Sequence, residues 1–223
     1  MEKTKKPRAK SSAASPEKIK SAFLDYLLTN GTKPPSVYKF CLDLGIKEDE
    51  FYSSYGSFEG VEKNIWKGFV DETITRLKSD QSFASFSIRE KILAFYYTLF
   101  EILKANRSFI LLELSSHRRL ELVPEFIKGF KASYESFVEV LLNEGKSRGE
   151  IAARPLLDKR YPKLFWLHMG FLLIFWKEDE SADFEKTDAA IEKSVNLAFD
   201  LIEKGAVDSA IDFAKFMYQS KRN

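Results

Sequence analysis

Residues 36–55 read SVYKFCLDLGIKEDEFYSSY, and this stretch decides the fold. Ser36 stands where a helix cap is needed, directly after Pro34-Pro35, which block the helix before it. The spacing predicts a short helix from Ser36 through Leu42, with Val37, Phe40, Cys41 and Leu44 turned inward. Gly45 breaks it, because glycine enters the left-handed conformation without steric cost. A further short helix is predicted from about Glu48 to Tyr55. Upstream, Ser15-Pro16-Glu17 combines a cap, a first-turn proline and an early acid. The helix it opens repeats Ile19, Ala22, Phe23, Tyr26 and Leu27 on one face and stops at Asn30-Gly31. Downstream, Gly56-Ser57 leads into a longer helix through Val61, Ile65, Phe69 and Leu77.

Helical patterning continues along the chain, and the fold class it predicts is all-α. Ser87-Ile88-Arg89-Glu90 has capping-box spacing and opens a long helix through Leu103. A shorter helix follows from Arg107 to His117, and another runs from Pro124 to about Glu144. Gly145 to Pro162 reads as a loop-rich stretch with room for one turn of helix. Lys163–Lys177 is apolar nearly all round, and Asp188–Lys204 carries a stripe of Ile191, Val195, Ala198, Phe199 and Ile202. A last amphipathic helix is predicted from Ala206 to Tyr218. An apolar share of 44% with 20 Phe excludes disorder. One cysteine, Cys41, and two histidines, His117 and His168, exclude a disulfide framework and make a metal centre improbable. No phosphate loop, nucleophile elbow or zinc-ligand spacing is present, so no enzyme activity and no cofactor are expected. The most apolar window, Leu164–Trp176, is shorter than the roughly 20 residues that span a bilayer, and a soluble, cytoplasmic chain is expected.

Three short helices followed by a longer one, with Gly45 between the second and third, form helix-turn-helix geometry. Ser36-Val37, Phe40-Cys41, Gly45-Ile46, Phe51-Tyr52 and Tyr55, followed by Ser57, Glu59 and Val61, resemble the TetR family of one-component transcriptional regulators. The match runs from about residue 17 to 66 without insertions. The resemblance implies a DNA-reading head in which Ser36, Tyr38, Lys39, Lys47, Tyr52 and Ser53 face the duplex. The chain departs from the family pattern where DNA would lie. Glu48-Asp49-Glu50 replaces the small residues that usually open the recognition helix, and Phe58 stands where a phosphate-contacting Lys is usual. Residues 21–56 hold three basic and five acidic side chains, whereas residues 1–20 hold seven basic and two acidic. Phosphate contacts dominate DNA affinity, so a net negative head beside a basic tail predicts weak, tail-dependent binding.

Residues 1–14 are thus expected to be a basic tail, 15–66 the head, and 67–223 a ligand-binding and dimerisation domain. The aromatic density of that larger part suggests an apolar cavity lined by Phe95, Tyr96, Leu99, Phe109, Phe137 and Trp166. The resemblance implies a small, often lipophilic effector and a homodimer. The expected interface residues are Phe171, Ile174, Phe175, Ile191, Val195 and Ala198. An alternative remains open: a ligand- or lipid-binding chain of the same fold without DNA binding, resembling the lipid-binding branch of ubiquinone biosynthesis. In that reading the helix 206–218 meets membranes.

Overall fold

The computed structural model describes residues 15–116, 124–203, 205, 213 and 217, and among these no strand occurs. The basic tail at 1–14, the cluster His117-Arg118-Arg119 and most of the helix expected at 206–218 lie outside the described residues. The head comprises α1 (Pro16–Asn30), α2 (Val37–Leu44) and α3 (Glu48–Tyr52). The hydroxyl caps form as the sequence requires: Ser15 Oγ accepts from the Lys18 N–H at 3.3 Å and Ser36 Oγ from the Lys39 N–H at 3.2 Å. Gly31 and Gly45 end α1 and α2 in the left-handed region, at φ 68° and 71°.

The long α4 (Phe58–Ser79) begins in the head and ends in the bundle. The boundary drawn at residue 66 therefore falls inside one continuous helix. Phe58 explains its own departure from the family pattern. Its ring packs 5.5 Å from Phe23, 5.4 Å from Phe40 and 5.6 Å from Phe51, so it builds the head's core where a lysine would have reached outward.

The bundle contains α5 (Ile88–Ala105), α6 (Arg107–Ser116), α7 (Lys128–Arg148), the short α8 (Pro155–Asp158), α9 (Tyr161–Glu178) and α10 (Glu185–Ile202). Both halves of the Ser87–Glu90 capping box are present at the start of α5. The end of α7 departs from the sequence expectation. Gly145 does not stop α7, which continues to Arg148 and ends at Gly149 with φ 76°. Gly145 serves a close approach, since a Cβ there would lie 2.7 Å from Ile151 Cδ1 and 2.9 Å from Ile88 Cγ1. In the core, α4 packs against α5 and α7, α7 against α9, and α5 against α10.

Two arginines fix the ends of the last two long helices. The Arg107 guanidinium donates to the carbonyls of Trp176 and Lys177 at 2.9 and 3.1 Å and stacks over the Trp176 ring, closing the C-terminus of α9. Arg154, buried, donates to the carbonyls of Leu201, Ile202 and Glu203 at 2.8–3.2 Å and closes α10. Between the two helices, Asp179 accepts from Ser181 N and Oγ and from Thr187 N and Oγ1, all within 2.9 Å. Burial pushes this carboxyl upward, yet the four donors hold it well below the usual carboxylate range.

Candidate functional site

Three regions carry the residues singled out from sequence. On the head, Ser36, Tyr38, Lys39, Lys47, Tyr52 and Ser53 are all exposed, while Phe40, Cys41, Phe51 and Tyr55 between them are buried. Tyr38 and Tyr52 are 64% and 52% exposed, Tyr52 with its ring 5.5 Å from that of Phe51. The charges around them are largely spent within the protein. Lys39 Nζ donates to Asp43 at 2.6 Å, and Lys33 Nζ donates to the buried Glu62 at 2.7 Å. Lys47, which precedes the first turn of α3, has no carboxylate partner among the described residues. The acids Glu48, Asp49 and Glu50 occupy that first turn, where they complement the helix dipole by about 0.3–1 kcal/mol each.

In the bundle, the six residues expected around one cavity divide into two neighbourhoods. Phe95, Tyr96 and Leu99 are fully buried on α5, and Phe137 stacks on Phe95 at 4.8 Å. Trp166 is partly buried and joins them through Tyr134, 6.2 Å away. Phe109 packs elsewhere, 6.2 Å from Trp66. Trp66 is a hub that the sequence reading missed, in contact also with Phe69, Phe126 and Phe130. Its indole N–H is buried and finds no acceptor among the described residues. Aromatic spacing on α4 shows that Trp66 faces the core but gives no sign that its N–H stays unmatched.

A polar chain crosses this apolar interior. Ser194 Oγ donates to the Ala190 carbonyl at 2.6 Å, which leaves it to accept from His168 Nε2 at 2.7 Å. His168 Nδ1 then accepts from Tyr96, 2.9 Å away, and the Tyr96 oxygen lies 2.5 Å from the Tyr134 hydroxyl. Every member is satisfied with a neutral imidazole. Burial lowers the His168 pKa to about 4 and pushes both tyrosines far up. His168, itself partly buried, is therefore a neutral connector of α5, α7, α9 and α10.

The third region is the outer face of α9 and α10. Leu164, Leu167, Phe171 and Ile174 form a stripe spaced i, i+3, i+7, i+10, each at least half exposed, beside Leu197 and Leu201. Phe171, Ile174 and Phe175 thus lie outward or partly outward, and Ala198 is partly covered. Ile191 and Val195 do not belong to this face. Both are completely buried within their own chain, because the strongest apolar stripe of α10 turns toward α5 and α9. The apolar residues that α10 presents on the outer face are Leu197 and Leu201. Of the final amphipathic segment, Phe213 and Met217 are helical and exposed.

A helix-turn-helix head carried by a long α4 into an aromatic helical bundle with an uncovered apolar face defines a one-component regulator fold. A family model described as "Tetracyclin repressor-like, C-terminal domain" matches residues 91–217, and the chain belongs to that TetR family. No curated protein sequence matches the chain. Among solved structures, a Syntrophomonas wolfei protein assigned to the TetR-family transcriptional regulators is similar at TM-score 0.65 and 15% identity, over 82% of this chain and 94% of that one. The fatty acid degradation regulator FadR from Bacillus halodurans is similar at TM-score 0.59 and 16% identity, over 85% and 96%. A protein of unknown function from Rhodococcus sp. RHA1 follows at TM-score 0.58 and 11% identity, over 90% and 100%. At these identities the likeness is one of fold. No helix of the described residues is long and apolar enough to cross a membrane.

Proposed function

We propose that this chain is a homodimeric transcriptional regulator that docks DNA through α2 and α3 and answers to a small lipophilic effector. Residues 15–66 serve as the DNA head and 67–223 as the effector and dimer domain. The observation that supports the DNA reading is the outward set Ser36, Tyr38, Lys39, Lys47, Tyr52 and Ser53, presented on a head whose Phe40, Cys41, Phe51 and Tyr55 form its core. Phosphate contact requires Lys39 to leave Asp43, an exposed and solvent-screened pair, so the exchange costs little. The uncovered stripe Leu164, Leu167, Phe171, Ile174, Leu197 and Leu201 supports the dimer, because apolar surface left in water costs about 25 cal/mol per Å². The unmatched Trp66 N–H supports the effector. An acceptor-bearing ligand entering the aromatic layer would relieve an unsatisfied buried donor, a cost of about 1–3 kcal/mol.

A gel-shift experiment at low salt on the promoter region of its own gene, with full-length protein and with residues 1–14 deleted, tests the DNA reading. Retardation by the full chain that weakens on deletion supports it; no retardation by either form overturns it. The second reading, a ligand- or lipid-binding chain without DNA binding, draws on the acidic first turn of α3 and on exposed Phe213 and Met217. Flotation with liposomes that is lost on truncation before Ala206 would favour its membrane form.

A further inference from the structure

We propose that the apolar groove between α8, α9 and α10 receives the segment 206–218 of a second copy of this chain, so that the two subunits exchange these segments. The groove lies at one end of the outward stripe. Its floor is Tyr161 and Phe165, both buried, and its rim is Leu164 and Leu201, 53% and 52% exposed. Leu157 and Ala198 complete it, and nearly all of the surface it shows is hydrocarbon. Its volume of about 290 Å³ falls just below the usual range of small-molecule sites and suits an aromatic or aliphatic anchor from a protein partner.

Position, pattern and charge name the occupant. Ile202, the last residue of α10, itself lines the groove, so the chain beyond α10 starts at the rim. As a helix, residues 206–218 would extend about 20 Å. Val207, Ala210, Ile211, Ala214 and Met217 share one helical face, with Phe213 at its edge. Phe213 and Met217 are 65% and 43% exposed, so their own chain does not cover them. Asp208 and Asp212, four positions apart, stand beside that face. Opposite charge waits at the groove: Lys159, Arg160 and Lys163, around the start of α9, are exposed and have no carboxylate partner among the described residues. Helices that lie on anionic bilayers carry Lys and Arg on the polar face, and acids in these two places favour a basic protein surface instead. A two-fold axis makes the exchange reciprocal and closes the assembly at two copies. The inference rests on the dimer reading and names a surface that completes it.

The test is disulfide trapping in the full-length chain, with wild type as background because its Cys41 is buried. Leu164→Cys and Phe213→Cys proteins are mixed, left to exchange subunits and oxidised, and linked peptides are read by mass spectrometry. In this mixture a 164–213 link joins two chains by construction, and the proposal expects it. Ile174→Cys in place of Leu164→Cys, about 15 Å further along α9, should give little or none. Phe213→Asp, a change at an exposed position, should raise the dimer dissociation constant roughly tenfold with the helical circular dichroism unchanged. A double variant, Leu164→Cys with Phe213→Cys, that links within one chain and runs as a monomer would show own-chain docking and overturn the proposal. So would an unchanged dissociation constant in Phe213→Asp. A wild-type dimer by light scattering with no 164–213 link in the mixture would remove the exchange and leave the dimer reading standing. A wild-type mass of 25.7 kDa would remove both.

Discussion

His168 shows how a single side chain can be placed correctly and still have its consequence hidden. A histidine on an apolar helix reads as a hydrogen-bonded group, and it is one, but only three-dimensional contact reveals Tyr96 and Ser194 as its partners. Its pKa near 4, against a usual value near 6.5, has a definite sign for stability. Above about pH 6.5 the ring is neutral in folded and unfolded chains, and it contributes no pH dependence. Between about 6.5 and 4 the unfolded chain takes up a proton that the folded chain refuses, so stability falls by up to about 1.4 kcal/mol per pH unit. The melting temperature of the wild type should therefore drop more between about pH 7 and pH 5 than that of His168→Gln. Parallel slopes would contradict the neutral, hydrogen-bonded assignment. Gly145 makes a second case. Read as a helix stop, it is a contact point with Ile88 and Ile151 inside α7. Gly145→Ala gains helix propensity but intrudes on both isoleucines, and a net loss of about 1–2 kcal/mol is expected in denaturant unfolding.

At the scale of elements, the caps and breakers of the head were legible because they act over three or four residues: Ser15, Ser36, Ser57, Gly31 and Gly45 all serve as their local chemistry demands. The facing of α10 was not legible in the same way. Its stripe of Ile191, Val195 and Phe199 is the most apolar one available, and such a stripe goes to the protomer's own core before any partner. The outward stripe on α9 was half legible, since a helix apolar on all sides must have a second covered face, yet periodicity alone does not say which residues form it. The two faces predict different failures. Phe171→Glu or Ile174→Glu should turn a dimer into a folded monomer of about 26 kDa by light scattering. Val195→Asp should instead unfold the chain, losing about 3 kcal/mol or more by circular dichroism, because it buries an unpaired charge. If Val195→Asp gave a folded monomer, the assigned orientation of α10 would be wrong. Arg154 closes α10 through three carbonyls from a stretch whose sequence is loop-rich; nothing local marks a residue whose partners lie about fifty positions ahead.

Over the whole molecule, charge is what the sequence displayed most plainly, and the structure sharpens it. The head's own lysines at 20, 33 and 39 are held by Glu17, Glu62 and Asp43, leaving the five basic residues of positions 1–14 as the main reserve for phosphate. A regulator built this way binds DNA chiefly through counterion release, and affinity should fall with nearly one unit of log–log slope per phosphate contact. Lys47→Ala should weaken binding further, since Lys47 stands directly before α3 and has no carboxylate partner among the described residues. The most direct test is fluorescence anisotropy with labelled promoter DNA, titrated from low to moderate salt, comparing the full chain with one lacking residues 1–14. A steep slope for the full chain and a clearly shallower one for the shortened form is the predicted result. Identical slopes, or no DNA binding at the lowest salt, would contradict the regulator account.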